Sequence, residues 1–210
     1  MGPTMSEARQ QDKSLQLYTV AEPLFERYGF RKTTVEEICR AAGVSKRTFY
    51  ELFRDKADLL TKMLVHMASE AVLGWRDTLD PGQSAIEKIL SYLDGYEAFG
   101  RRHPAFQKCM HEFDDGQCSR EFENHPSVEA MRDALAGVLA EGVASGELRP
   151  LDPPTLVWII DSLLDAMYYM FPQMTGRPSA LEDPVLASEL RAFIINGIRN
   201  PDHDPVRRTR

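Results

Sequence analysis

The stretch TTVEEICRAAGVSKRTFYELFRDKADLL, Thr33 to Leu60, constrains the fold more than any other part of the chain, because its start and stop signals leave little freedom. Thr34 opens a helix, and Glu37 follows at the spacing of a capping box. Val35, Ile38, Cys39 and Ala42 recur on one face at the helical period. Gly43 supplies a left-handed stop, since a residue without a Cβ takes positive φ freely, and Val44 plugs the turn behind it. Ser45 then caps a short helix that runs through Phe53. Asp55 caps a long one, with Leu59, Leu60, Met63, Leu64, Met67 and Ala71 as its stripe.

The same period runs through the rest of the chain, and no convincing period-2 strand appears, so the predicted fold class is all-α. Leu17, Ala21, Leu24, Phe25 and Tyr28 mark a first helix that Gly29 stops; Pro23 removes one backbone donor and predicts a kink or a shifted start. Asp80-Pro81-Gly82 is a turn near the boundary between head and body. Beyond it, helices are expected from Ser84, from His103-Pro104, from Pro126 to Gly146, from Asp152 to about Phe171, and from Asp183-Pro184. The domains are drawn as a helix-turn-helix head over 1–60, a helical body over 61–199 and a disordered tail over 200–210.

Charge separates the same two parts. The net charge is −7, but residues 1–60 hold ten Lys and Arg against nine Asp and Glu, a net of +1. The remaining residues hold fifteen against twenty-three, a net of −8. An acidic body is repelled by phosphate and belongs away from it, so any nucleic acid is expected at the head. With 43% hydrophobic residues the chain can bury a real core. No run of about 18 apolar residues predicts a membrane span, and the polar start from Met1 to Lys13 does not read as a signal peptide. Cys39, Cys109 and Cys118 form no C-x-x-C and cannot all pair, which suits a reduced, cytoplasmic setting.

A brace helix followed, after a glycine turn, by a helix of about two turns is the geometry that places one helix in a major groove. At these residues the chain resembles the TetR family of transcriptional regulators. The resemblance rests on Thr33-Thr34, Ala42-Gly43-Val44-Ser45, Thr48-Phe49-Tyr50, Phe53 and Lys56, in matching order. It implies DNA contacts from Thr33, Thr34, Ser45, Lys46, Arg47, Thr48, Tyr50 and Lys56. Thr34, Thr48, Tyr50 and Lys56 would bind phosphate, and Lys46 and Arg47 would face bases or stand as a solvated face. Lys56 lies in the first turn of its helix, where the dipole disfavours a cation, and a phosphate neighbour would explain it. Two positions depart from the family pattern: Arg47 replaces a residue that is often glycine or small, and Leu52 replaces a frequent His or Tyr.

The resemblance also implies a homodimer on double-stranded DNA with an inverted-repeat operator, a repressor's role, and an unknown small-molecule effector. The expected dimer interface draws on Trp158, Leu163, Met167, Leu190, Phe193, Ile194 and Gly197, because a helix that is apolar all round needs cover on several sides. The expected walls of a pocket for an apolar or aromatic ligand are Trp75, Phe99, Phe106, Met110, Phe113, Trp158 and Tyr168. Asp161 and Asp165, one turn apart, could greet a cation. No cofactor, metal site or catalytic residue is expected: His103, His111 and His125 are scattered, and no phosphate-binding loop or nucleophile elbow occurs. Cys109 and Cys118 are read as packing or surface residues, with oxidant sensing as the alternative. Two further function classes compete: a DNA-binding protein without an inducer, and an all-α enzyme.

Overall fold

The computed structural model describes residues 5–104 and 124–203. Phe106, Met110 and Phe113, together with Cys109, His111 and Cys118, lie outside the described residues. The described chain is helical throughout, apart from turns and an isolated antiparallel bridge between Leu148 and Arg199. Its contacts divide it into two compact units: Met1–Ser69 with Arg102–His125, and Glu70–Arg101 with Pro126–Arg210.

The first unit begins with α1, Met5–Tyr28. Pro23 lies inside it, and the helix continues to its end at Gly29, where φ is 83°. Burial explains the tolerance: Leu17, Ala21 and Phe25 on either side of Pro23 are wholly inaccessible and hold the helix to the core. Helix α2, Val35–Ala42, opens with the expected capping box. The Glu37 backbone N–H donates to Thr34 Oγ1 at 3.2 Å, and the Thr34 N–H donates to Glu37 Oε2 at 2.8 Å. Gly43 ends the helix at φ 65°, and the Val44 N–H donates back to the Cys39 carbonyl. Helix α3, Lys46–Leu52, starts from Ser45, whose Oγ accepts the Thr48 N–H at 3.0 Å. Phe49 and Phe53 turn inward and pack against each other, with ring centroids 5.4 Å apart.

Helix α4, Lys56–Thr78, is shared by chain continuity, since the division between units falls after Ser69. Met63 and Leu64, beyond Leu60, are buried and fall on the first unit's side of that division.

The second unit holds α5, Ala85–Arg102, α6, Pro126–Ser145, α7, Pro153–Asp165, a short α8, Phe171–Thr175, and α9, Pro184–Ile198. Each start has its sequence reason. Ser84 and Glu87 cap reciprocally, Asp152 accepts from Thr155, and Asp183 accepts from Val185 and Leu186. Gly142 lets α6 touch its surroundings, since a Cβ there would lie 2.5 Å from Leu148 Cγ.

One expectation is corrected. The helix from Asp152 to Phe171 is not regular: Ala166–Met170 forms a π turn between α7 and α8. There the Met167 carbonyl accepts the Ala180 N–H at 3.2 Å, so part of the local bonding capacity serves the segment that follows. Asn200, the first residue of the expected tail, is hydrogen-bonded within the second unit. Its N–H donates to the Glu147 carbonyl and its Nδ2 to the Gly146 carbonyl, at 3.0 and 2.8 Å.

Candidate nucleic-acid interface and sensor residues

The head presents the short α3 outward by burying what lies behind it. Phe49 is completely buried, whereas Lys46, Arg47, Tyr50 and Glu51 are exposed. Arg47, Tyr50 and Glu51 share one face, being three and four residues apart. The Tyr50 ring stands edge-on to Phe49, with centroids 5.3 Å apart, so its aromatic body is supported while more than half of the residue remains accessible. Thr34 and Ser45 sit at the exposed N-termini of α2 and α3, with Thr48 half-buried behind Ser45. Such ends carry partial positive charge and backbone donors, which suits a phosphate.

Both cations at the start of α3 are paired with carboxylates of the same unit. Lys46 bonds Glu36 of α2, and Arg47 Nε donates to Glu51 Oε1 at 3.0 Å. The carboxylate partners were not among the residues singled out from sequence. The i,i+4 spacing of Arg47 and Glu51 was a legible signal for one pair; the Lys46–Glu36 contact depends on how α2 and α3 cross.

Two of the expected DNA contacts are engaged inside the fold. Thr33 is only 1% exposed, and its hydroxyl donates to the Gly29 carbonyl at 2.8 Å, closing the turn after α1. Lys56 is half-buried. Its Nζ donates to the carbonyls of Phe30 at 2.5 Å and Thr33 at 2.6 Å, with Arg31 at 3.4 Å. These carbonyls by themselves offset the cost of a cation in the first turn of a helix.

Behind the interface, Asp58 is buried at the start of α4. It accepts from the Arg54 backbone and guanidinium and from Lys62 Nζ. Burial pushes its carboxyl up, but the Arg54 N–H and the Lys62 ammonium outweigh that and hold it below the usual aspartate range. Cys39 is buried in the same unit, and desolvation raises its thiol.

In the second unit, several of the residues expected to line a sensor pocket meet through partners that sequence reasoning missed. Tyr92 donates to Asp161 at 3.0 Å, and Tyr96, one turn along α5, donates to Asp165 at 2.5 Å. Arg132 of α6 reaches Asp161 at 3.3 Å. Trp75 donates to Ser91 and stands edge-on to Tyr92, and Tyr96 packs on Tyr168 at 5.4 Å. Burial, and after it the Asp161 carboxylate, drives the Tyr92 hydroxyl well above its ordinary range. The matching i,i+4 spacings of Tyr92–Tyr96 and Asp161–Asp165 could have suggested this ladder, but only the packing of α5 on α7 sets its register.

Trp158 stands apart from the buried cluster: it is 54% exposed, with the Arg132 guanidinium 4.1 Å from its ring centroid. Phe99 is half-buried. An open groove of about 570 Å³ elsewhere in this unit is lined by Ser84, Lys88, Glu141, Glu147, Arg199 and His203 among others, and by none of the expected sensor residues. Among the expected interface residues, Phe193 and Gly197 are exposed and Leu163 and Met167 half-buried, whereas Leu190 and Ile194 are buried in the protomer's own core. Among the described residues, no cluster of His, Cys, Asp and Glu is arranged to hold a metal ion, and no helix is long and apolar enough to cross a membrane.

Comparison with known proteins agrees with this geometry. Residues 17–63 match the family model described as bacterial regulatory proteins, tetR family. Over nearly its whole length the chain is similar to the HTH-type transcriptional repressor KstR2 of Mycolicibacterium smegmatis, at 27% identity, covering 94% of each chain. Its fold is that of the fatty acid degradation regulator FadR from Bacillus halodurans, with TM-score 0.72 at 17% identity, covering 87% of this chain and 94% of that one. The transcriptional regulator FadR from Bacillus subtilis, solved in complex with stearoyl-CoA, is equally similar in fold: TM-score 0.72, 17% identity, 88% and 99% coverage. The helix-turn-helix in the first of the two units is thus the part that matches the tetR family of bacterial regulatory proteins, and the chain as a whole is similar to HTH-type transcriptional regulators.

Proposed function

We propose that this protein is a cytoplasmic, homodimeric repressor that holds an inverted-repeat operator and is released from it by a small apolar or aromatic ligand. The observation that carries the DNA-reading half is the display of Lys46 and Arg47 at the capped start of α3, a helix fixed from behind by Phe49. Thr34, Ser45, Thr48 and Tyr50 surround them as phosphate contacts. The near-neutral head and acidic body agree with contact through the head alone.

Dimerisation is supported by the apolar surface left on the last helices. Trp158, Ile159, Met170, Val185 and Phe193 are each about half exposed or more, and all lie between the start of α7 and the end of α9. Gly197 on α9 permits a close approach there. A two-fold pair of heads requires a site with matching two-fold symmetry.

The effector half rests on the aromatic cluster around Trp75, Tyr92, Tyr96 and Tyr168, with Asp161 and Asp165 as its polar groups. Trp75 belongs to α4, whose first turn belongs to the head, so a ligand that shifts α4 changes how the head is held. A tenfold loss of DNA affinity needs about 1.4 kcal/mol of coupling, and operator DNA then weakens ligand binding by the same factor.

The test is operator selection from random duplexes with the purified full chain, followed by a compound screen for release of the selected DNA. The expected result is an enriched site with a dyad. Enrichment of a site without a dyad, or release by none of the apolar compounds, would count against the corresponding half of the proposal.

A further inference from the structure

The carboxylate beside Arg47 is out of place on a surface meant for DNA. Glu51 is exposed on the same face of α3 as Arg47 and Tyr50, and a negative charge there is repelled by every phosphate of every sequence. Its cost is uniform, so a compensating gain has to be specific. We infer that Glu51 is a specificity-determining residue, which orients Arg47 to read a guanine in each half-site. This rests on the DNA-reading role proposed above.

The geometry is particular. Arg47 Nε donates to Glu51 Oε1 at 3.0 Å, one helical turn apart, while the Arg47 side chain is 89% exposed. A guanidinium is a planar fork with five donors. With Nε engaged by Glu51, the two terminal nitrogens, side by side on the far edge of the fork, are left for a second pair of acceptors. Guanine is the base that presents two adjacent acceptors, O6 and N7, in the major groove; adenine presents N7 beside a donor. The buttressed fork matches guanine and clashes in hydrogen-bond sense with adenine.

In water such an exposed pair contributes little, since both groups are hydrated and mobile. Inside a groove from which water is displaced, the same contact strengthens and restricts the arginine to the reading orientation. The helix beneath is rigid enough to use this: Ser45 caps its start and Phe49 is fully buried in the head. Lys46, the neighbouring cation, is occupied by Glu36 from α2, so the two cations do not compete for one carboxylate.

The experiment compares the full-length protein with Glu51→Ala and Arg47→Lys, a charge-preserving change that removes the fork. Each is put through random-duplex selection and then titrated with the selected site, with its guanine-to-adenine variant and with random duplex. The wild type is expected to enrich one guanine per half-site, with adenine there costing about tenfold or more. Both variants are expected to lose that preference at that same position. Glu51→Ala is also expected to bind random duplex at least as tightly as the wild type, because a repulsive charge is gone.

Retention of the guanine preference by Glu51→Ala overturns the inference. So does an Arg47→Lys variant that weakens all sequences equally, which would make Arg47 a phosphate contact. Helical circular dichroism identical to wild type excludes misfolding of either variant. If the wild type enriches no sequence at all, the DNA-reading function itself fails, which is a different result from selection without the guanine.

Discussion

The Lys56 ammonium lies 4.3 Å from the centroid of the Phe30 ring and donates to the carbonyl of that same residue at 2.5 Å. With the Thr33 carbonyl at 2.6 Å, this ties the start of α4 to the turn between α1 and α2. Lys56→Met keeps the aliphatic stem and removes the donors. Hydrogen bonds from a charged group are each worth about 1.5–3 kcal/mol, and half-exposure reduces that, so a loss of about 1–2 kcal/mol in urea unfolding is expected. The salt dependence of operator binding should not change. A slope shallower by about 0.9 per half-site would instead place this lysine on a phosphate.

Asp58 makes the head acid-sensitive. Its folded pKa lies below the unfolded value of about 3.9, so its contribution to stability is complete above that value and is lost as pH falls through the folded one. Denaturation of the wild type between pH 6 and about pH 3 should show stability declining at the acid end. Asp58→Asn should start lower and decline less steeply. Parallel curves for the two proteins would argue that Asp58 is not the responsible group.

Arg132 faces Asp161 across a nearly dry contact, with side chains 14% and 12% exposed. Arg132→Leu removes the guanidinium while the carboxylate remains buried, and it should destabilise the second unit by about 3 kcal/mol. Adding Asp161→Asn should recover part of that loss, a non-additivity read from a double-mutant cycle by thermal or urea unfolding. Strictly additive effects would mean that the two residues do not act as a pair.

Gly142 is required by contact rather than by backbone angle. An alanine Cβ there would lie 2.5 Å and 2.6 Å from Leu148 Cγ and Cδ1 and 2.8 Å from the Ala85 Cβ. Leu148 is itself buried, so it has little room to yield. Gly142→Ala should cost about 1–3 kcal/mol, despite alanine's better helix propensity, as overpacking does elsewhere. A more stable variant would show that Leu148 moves freely.

Phe193 is 69% exposed on α9. If the apolar face of the last helices joins two protomers, Phe193→Asp should shift light-scattering mass toward the monomer at micromolar concentration. Ile194→Asp should unfold the protomer instead, since that neighbour is buried within it. A monomeric wild type would remove the dimer from the functional model.

Much of the head was legible from local chemistry. A capping box needs only Thr34 and Glu37 three residues apart, a left-handed stop needs only a glycine at Gly43, and an N-cap needs only Ser45 before a short apolar pattern. These are interactions over one turn of chain, so sequence order alone determined them. The period-3.6 stripes determined the all-α class for the same reason, and the ordered head residues carried the resemblance to the tetR family.

Contacts between distant segments were decided by the tertiary structure. The carbonyls that accept from Thr33 and Lys56 come from the turn after α1, for Lys56 a contact that no local spacing contains. Leu190 and Ile194 could not be told from Phe193 on an apolar helix until packing chose which side faced inward. The Tyr92–Asp161 and Tyr96–Asp165 bonds each join residues 69 positions apart, a pairing that no local pattern contains. The physical reason is common to all of them: a side chain's spacing along its own helix fixes the face it occupies. What that face meets depends on how helices cross, which is set by the whole core at once.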